Sequence, residues 1–371
     1  MLPLPDDDRH PLLEVGDALQ LLPLLPKRSV QCVVTSSPYW GMRVYDNVRD
    51  VTWADGERCP YGFEQTPEGF IRHSVELLYL IKPAMAESGS VWWNIMDTYN
   101  TRTPIRGSSK EKLRAMSKDP DHAVGWTEHD ACRHSAGHMY LDDGELASIP
   151  MRIAERASRI GFTFKSLITW NKNSTPEPVK SRVTRQAEYI VHLAVGGRTP
   201  SFDKKAWQDL EQRLGGRNHT YESAEKLADV WSFPTAGGKN GHGAEFPLAL
   251  PGRCIALTSN PGDLVLDPFV GSGTSALAAI ELGRRFIGFD MSGNYVDLAR
   301  TRIGELVTRI EQLQGQRPPD PDLQEPNGAA DRGNGRGGSA ARPFLDELVA
   351  VVPASNSKRR RRPPKAEITT N

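Results

Sequence analysis

The sequence predicts an α/β fold, a doubly wound sheet flanked by helices, with two polar inserts and a disordered C-terminal tail. Three observations carry that expectation. Apolar runs of strand length alternate with stretches of helical spacing from about residue 10 to residue 314. Two of the runs end abruptly in turns dense in Gly, Ser, Thr and Pro, as strands do when chemistry sits at their carboxyl ends. Beyond Gly315 the chain becomes QRPPDPDLQEPNGAADRGNGRGGSAARP, with almost nothing to bury.

The elements follow in order. Val30-Gln-Cys-Val-Val34 is a buried strand ending in the turn Thr35-Ser-Ser-Pro38. Phe70, Val75, Leu77, Leu78 and Ile81 fall at helical spacing and predict a helix over 70–85, with a strand over 90–95 after Glu-Ser-Gly punctuation. A helix over 151–160 ends at Gly161, and strands follow over 163–170 and 188–194. Residues 263–267 read as a strand, 274–282 as a helix closed by Gly283, and 285–290 as the next strand. A last amphipathic helix covers 295–313, and its apolar surface could serve a homodimer. Two stretches break the alternation, about 99–145 and 196–230; inserts of that size are usually functional or disordered. Residues 1–314 therefore form one domain, and 315–371 a linker and basic tail. Within that tail, residues 344–352 are a short apolar island, able to dock on a partner or on the body, or merely sticky.

Composition sets limits. Lys plus Arg is 46 and Asp plus Glu is 46, a balance that argues against a nucleic-acid partner. The distribution argues otherwise, because Lys358, Arg359, Arg360, Arg361, Arg362 and Lys365 crowd the C-terminus and leave the body mildly acidic. No apolar run is long enough for a membrane span, and the acidic start does not suit export. Four scattered cysteines without a CxxC pair fit a reducing cytoplasm.

The strongest chemical signal is Asp267-Pro268-Phe269-Val270-Gly271-Ser272-Gly273-Thr274. A strand ends at Asp267, a glycine turn follows, and a helix starts near Thr274. This is not the dinucleotide pattern GxGxxG. An acidic residue at that point would repel a phosphate, yet suits a cationic, phosphate-free nucleotide such as S-adenosyl-L-methionine. Asp290, ending the next strand, is placed to hold ribose hydroxyls. A plain glycine turn would account for the glycines alone, though not for both acids in register. The second signal is Thr35-Ser36-Ser37-Pro38-Tyr39-Trp40. Either it is an ordinary strand-ending turn, or its aromatic face stacks on an amino-bearing ring whose protons a small polar side chain and turn carbonyls accept.

Together these two signals resemble the DNA amino-methyltransferases, whose catalytic motif reads Ser/Asp/Asn-Pro-Pro-Tyr/Phe/Trp and whose cofactor motif reads Asp-Pro-Phe-x-Gly-Ser-Gly-Thr. The catalytic motif precedes the cofactor motif by about 230 residues, which is similar to the circularly permuted β-class. Further matches are Glu14-Val-Gly-Asp17, Gly41-Met-Arg-Val-Tyr45, the run from Ser90 to Tyr99, Trp170-Asn-Lys172, Arg182-Val-Thr184, Glu188-Tyr189 and Ala244-Glu-Phe246-Pro247. Two positions depart from the pattern: Ser37 stands at the first Pro, and Ala187 where a His is usual.

The resemblance implies a Rossmann-like methyltransferase fold, double-stranded DNA as substrate and S-adenosyl-L-methionine as cofactor. The flipped base would stack on Tyr39, with Trp40 as a second face, while Ser36 and the Ser37 carbonyl accept its amino protons. The cofactor would lie against Asp17, Phe246, Pro247, Asp267, Pro268, Phe269, Gly271, Ser272, Gly273, Thr274 and Asp290; for Asp17 a helix N-cap is the rival role. Ser36 is the family's usual mark of cytosine-N4 specificity, with adenine-N6 the runner-up. Methylation of RNA or a protein amide, or a non-catalytic DNA-binding relative, are the other readings, the last motivated by Ser37. Proline would rigidify that turn, so Ser37→Pro is expected to preserve or raise activity. A cognate restriction endonuclease would accompany such an enzyme in a restriction-modification system. No metal is expected, although His129, Cys132, His134 and His138, with His122 close by, are of ligating types. Target recognition falls to the inserts, through Arg102, Arg106, Lys110, Lys112, Arg114 and Lys118 in the first and Lys204, Lys205, Arg213, Arg217 and Asn218 in the second.

Overall fold

The computed structural model describes residues 1–41, 49–100, 141–142, 144–172, 183, 185–195, 201–206, 217–218, 227–233 and 246–315. Met1–Glu325 forms one unit; Pro326–Asn371 forms another and lies wholly outside the described residues. The strands are β1 (Leu12–Val15), β2 (Val30–Ser36), β3 (Val51–Thr52), β4 (Arg58–Cys59), β5 (Met85–Ile95) and β6 (Phe162–Lys172). They continue with β7 (Ala187–Val195), β8 (Arg217–Asn218), β9 (Val230–Phe233), β10 (Leu264–Asp267) and β11 (Arg285–Asp290). The helices are α1 (Ala18–Leu21), α2 (Pro67–Ile81), α3 (Ile149–Arg159), α4 (Ala249–Thr258), α5 (Thr274–Glu281) and α6 (Gly293–Gly315).

Nine strands make one sheet in the order β1-β11-β10-β2-β5-β7-β6-β9-β8, while β3 and β4 pair apart from it. From β1 to β5 in that order all neighbours are parallel; β7 runs antiparallel to both β5 and β6. The all-buried Leu264-Val-Leu-Asp267 is what a central parallel strand covered on both faces requires. Thr66 caps α2 by accepting from Gly69 N–H, with Pro67 just inside the helix, so α2 starts three residues before the predicted 70. Pro83 stops the helix, and β5 therefore begins at Met85, opposite Val30, rather than at 90.

β1, α4 and the short strands β3, β4, β8 and β9 fall outside the elements the sequence predicts. β1 has only four residues and an exposed Val15, too little pattern to register. α4 contains Pro251-Gly252, which reads as a turn. That proline sits in the first helical turn, where its missing N–H has no intrahelical partner to lose, and every α4 residue is buried. The apolar stripe of α6 (Val296, Ala299, Ile303, Leu306, Ile310) is buried within the body. That removes the free apolar surface on which the homodimer expectation rested. Among the described residues no helix is long and apolar enough to cross a membrane.

Candidate active site

β2 and β10 are adjacent and parallel, with Val33 opposite Leu266, so the two chemical turns leave the sheet side by side. The chain goes on from β10 to β11 on one side and from β2 to β5 on the other. The gap beyond their carboxyl ends is the switch-point crevice where doubly wound sheets take ligands.

A buried carboxylate ties the turns together. Thr35 Oγ1 donates to Asp267 Oδ1 at 2.6 Å, Ser275 Oγ donates to Oδ2 at 2.5 Å, and Phe269 N–H donates to Oδ1 at 3.0 Å. Asp267 is 1% exposed. It pins strand, loop and helix, where the sequence suggested a carboxylate open to a sulfonium or amino group. Burial raises its pKa to about 6, against three donors that favour the ionised form and with Asp290 adding to the rise. The folded state thus holds this proton more tightly than the unfolded chain does. The associated stability is present below the ordinary 3.8 and is lost as pH climbs through about 6. A carboxyl-selective NMR titration should find one aspartate titrating near that value and missing from Asp267→Asn; its absence in the wild type would contradict the burial argument.

The glycine loop is fixed just as closely. Gly271 and Gly273 have φ of +50° and +87°. Gly271 N–H donates to Asp290 Oδ2 at 2.9 Å, and Gly273 N–H to Val270 O at 2.9 Å. From α6, Arg302 Nη1 donates to Ser272 O at 2.7 Å and to Ser272 Oγ at 2.8 Å. A Cβ on Gly273 would stand 2.8 Å from Ala299 Cβ, so this glycine serves helix packing as well as the turn. Left-handed strain and overpacking together put the cost of Gly273→Ala at about 2–4 kcal/mol, to be read as a lowered Tm.

These loop amides are already engaged, one by a carboxylate, so the turn is no phosphate cradle. A cationic, phosphate-free nucleotide meets no such conflict. Of the residues expected to hold it, Asp17, Pro247, Phe269 and Asp290 are half-buried; Phe246, Pro268, Gly271, Ser272, Gly273 and Thr274 are buried. Asp17 caps α1 by accepting from Leu19 N–H at 3.0 Å, the rival role named for it, and burial raises its pKa. Gly16 N–H donates to Asp290 O at 2.9 Å, which sets Asp17 beside the end of β11.

At the end of β2 and in the turn after it, Ser36, Pro38 and Tyr39 are half-buried, whereas Ser37 and Trp40 are buried. Trp40 Nε1 donates to Glu64 O at 2.7 Å, so its indole packs into the core and is not a second stacking face. Nor is the turn loosened at Ser37: Trp93 Nε1 donates to Ser37 Oγ at 2.9 Å, with both residues 1% exposed.

A polar network behind Ser36 and Tyr39 was not assembled from the sequence. Glu188 Oε2 accepts from Tyr39 OH at 2.5 Å and from Asn94 Nδ2 at 2.9 Å, and Glu188 Oε1 pairs with Lys172. Asn94 Nδ2 also lies 2.8 Å from Tyr39 OH and 3.3 Å from Ser36 Oγ. Antiparallel β7 explains the convergence: its first residues share a sheet edge with the last residues of β2, β5 and β6. One signal was present, a lone Asn inside the apolar run Val91-Trp-Trp-Asn-Ile95.

Residues 42–45, the four ligating types His129, Cys132, His134 and His138, the neighbouring His122, and the basic residues Arg102, Arg106, Lys110, Lys112, Arg114, Lys118 and Arg213 lie outside the described residues. Lys204 and Lys205 are exposed, and Arg217 and Asn218 form β8 at the far edge of the sheet.

Residues 30–301 match a family model described as a DNA methylase of the N6/N4 class. Over 294 residues the chain is 32% identical to the Type II methyltransferase M.Cfr9I of Citrobacter freundii, covering 78% of this chain and 86% of the relative. A Thermus thermophilus structure named as a DNA modification methylase, complexed with S-adenosyl-L-methionine, is 22% identical with a TM-score of 0.50, covering 80% of this chain and 95% of that one. PvuII DNA methyltransferase, named as cytosine-N4-specific, is 19% identical with a TM-score of 0.50, covering 81% and 92%. Both structures share the fold.

Proposed function

Since the chain belongs to the N6/N4 DNA methylase family, we propose that it moves a methyl group from S-adenosyl-L-methionine to the exocyclic N4 of cytosine in double-stranded DNA. One observation carries this reading: half-buried Ser36, at the end of β2, and Tyr39, three residues on, leave the sheet beside the glycine loop that follows β10. The cofactor supplies an electrophilic methyl group; the rest is positioning.

The target base leaves the duplex at the cost of unstacking. The Tyr39 ring stacks on it, while Ser36 Oγ and the Ser37 carbonyl accept the amino protons and aim the nitrogen lone pair. The methylated nitrogen would shed one amino proton to solvent, while Glu188, already paired with Lys172, holds Tyr39 and Asn94 in place. Asp17, Phe246, Pro247, Phe269 and Asp290 hold the cofactor. Asp267, Pro268, Gly271, Ser272, Gly273 and Thr274 build the turn it rests on.

Ser36, in place of Asp or Asn, supports cytosine over adenine. The Type II name of the relative supports a cognate restriction endonuclease and a cytoplasmic setting. Incubation of duplex DNA with tritiated cofactor, followed by digestion to nucleosides, tests the reading. Label in N4-methylcytosine is expected. Label in N6-methyladenine would replace the base assignment, and no label on DNA of varied sequence, despite cofactor binding, would end the enzymatic reading.

A further inference from the structure

The segment from Pro60 to Glu64 is wedged between the two turns of the active site. It receives Trp40 Nε1 on Glu64 O at 2.7 Å and Gly41 N–H on Gly62 O at 2.8 Å. Gly62 has φ of +91° and runs so close beneath the catalytic turn that a Cβ there would lie 3.4 Å from Pro38 Cβ and from Tyr39 O. On the other side Tyr61 stacks on Phe269 of the glycine loop, ring centroids 5.5 Å apart.

This segment belongs to no strand or helix, so side chains must hold it in place. Glu64 does so with both carboxylate oxygens: Oε2 accepts from Gly62 N–H at 3.0 Å, and Oε1 meets His73 Nδ1 at 3.0 Å. The pair is shut away from solvent, Glu64 being 0% and His73 1% exposed. His73 stands on α2, stacked flat on Trp53 at 4.0 Å and 3°, with Asp55 at 3.4 Å and Glu57 at 3.7 Å from its Nε2. Cys59, Glu64 and His73 place ligating atoms within 4.8 Å of one another, yet the imidazole and carboxylate already serve each other and the backbone.

We propose that Glu64 and His73 are positioning residues for methyl transfer: through the carbonyls of Gly62 and Glu64 they set where Pro38 and Tyr39 stand. The proposal rests on the methyltransferase reading. A misplaced stacking ring costs turnover, whereas the glycine loop, which Tyr61 also touches at Phe269, is held by its own bonds to Asp267, Asp290 and Arg302.

The test uses full-length His73→Ala, His73→Asn and Trp40→Phe, assayed for turnover on unmethylated duplex DNA and for cofactor affinity by calorimetry. His73→Ala should lower kcat by about tenfold or more, with cofactor Kd changed by less than about threefold. His73→Asn keeps a donor toward Glu64 and should recover kcat to within about threefold of wild type. Trp40→Phe cuts the link to the Glu64 carbonyl, leaves a small cavity in the core, and should also lower kcat. Combined with His73→Ala, it should add little to the worse single loss. A folded His73→Ala with kcat within about twofold of wild type overturns the proposal, as does His73→Asn no better than His73→Ala. If His73→Ala does not fold, unchanged kcat in Trp40→Phe overturns it. A wild type that labels no DNA overturns the methyltransferase reading and this proposal with it; an active wild type with indifferent variants overturns the proposal alone.

Discussion

Glu188→Ala should lower kcat by about 10²–10³-fold, the larger of the two principal losses expected at this site. The Glu188 carboxylate collects Tyr39 OH, Asn94 Nδ2 and Lys172 Nζ, three donors from three different elements. Deleting it leaves a largely buried ammonium uncompensated, and breaking a buried pair from one side costs about 3–5 kcal/mol. On the proposed reading the damage would reach the target base, because Asn94 also contacts Ser36 Oγ and Tyr39 OH. Glu188→Gln keeps one acceptor oxygen but turns an amide toward Lys172 or Asn94, so it should fall between the two. Steady-state turnover with Tm measured alongside separates a lost site from a lost fold. Turnover within about threefold of wild type in a folded Glu188→Ala would mean that the network only supports the core.

What could be read from the sequence was local. Leu264-Val-Leu-Asp267 announces its strand by an unbroken apolar run, and the glycines after it announce the turn. The direction in which Asp267 points is not a local property. It is settled by Thr35 and Ser275, one of them 232 positions away. The Glu188 network draws on Asn94, which lies 94 residues earlier in the chain, and its convergence depends on β7 running against β5. Its place after Tyr39 in a turn makes Trp40 a candidate second stacking face. Which of the two faces the crevice is decided by Glu64, 24 residues on, whose carbonyl takes the indole N–H. β1 is too short to show a pattern, and Pro251-Gly252 in α4 carries a turn signal that a first helical turn can absorb.

Ser37→Pro is expected to lower stability by about 1–3 kcal/mol and turnover with it, the reverse of what motif resemblance alone suggests. Proline would stiffen the turn, a gain of at most about 1 kcal/mol drawn from the unfolded chain. Against that gain stands Trp93, whose buried Nε1–H donates to Ser37 Oγ at 2.9 Å and would be left without this acceptor. An orphaned buried donor outweighs the entropy saved. Trp93 also packs at a tilt on Phe269, ring centroids 6.5 Å apart, so a shifted indole would disturb the glycine loop as well. Trp93→Phe keeps most of that packing and removes the N–H. The double variant Ser37→Pro with Trp93→Phe should therefore lose less Tm and turnover than the two single losses added together, a non-additivity of about 1 kcal/mol or more. Thermal unfolding and label transfer on the four chains of this cycle decide the point. Ser37→Pro as stable and active as the wild type would show that the Trp93 hydrogen bond is dispensable and that the turn needed only rigidity.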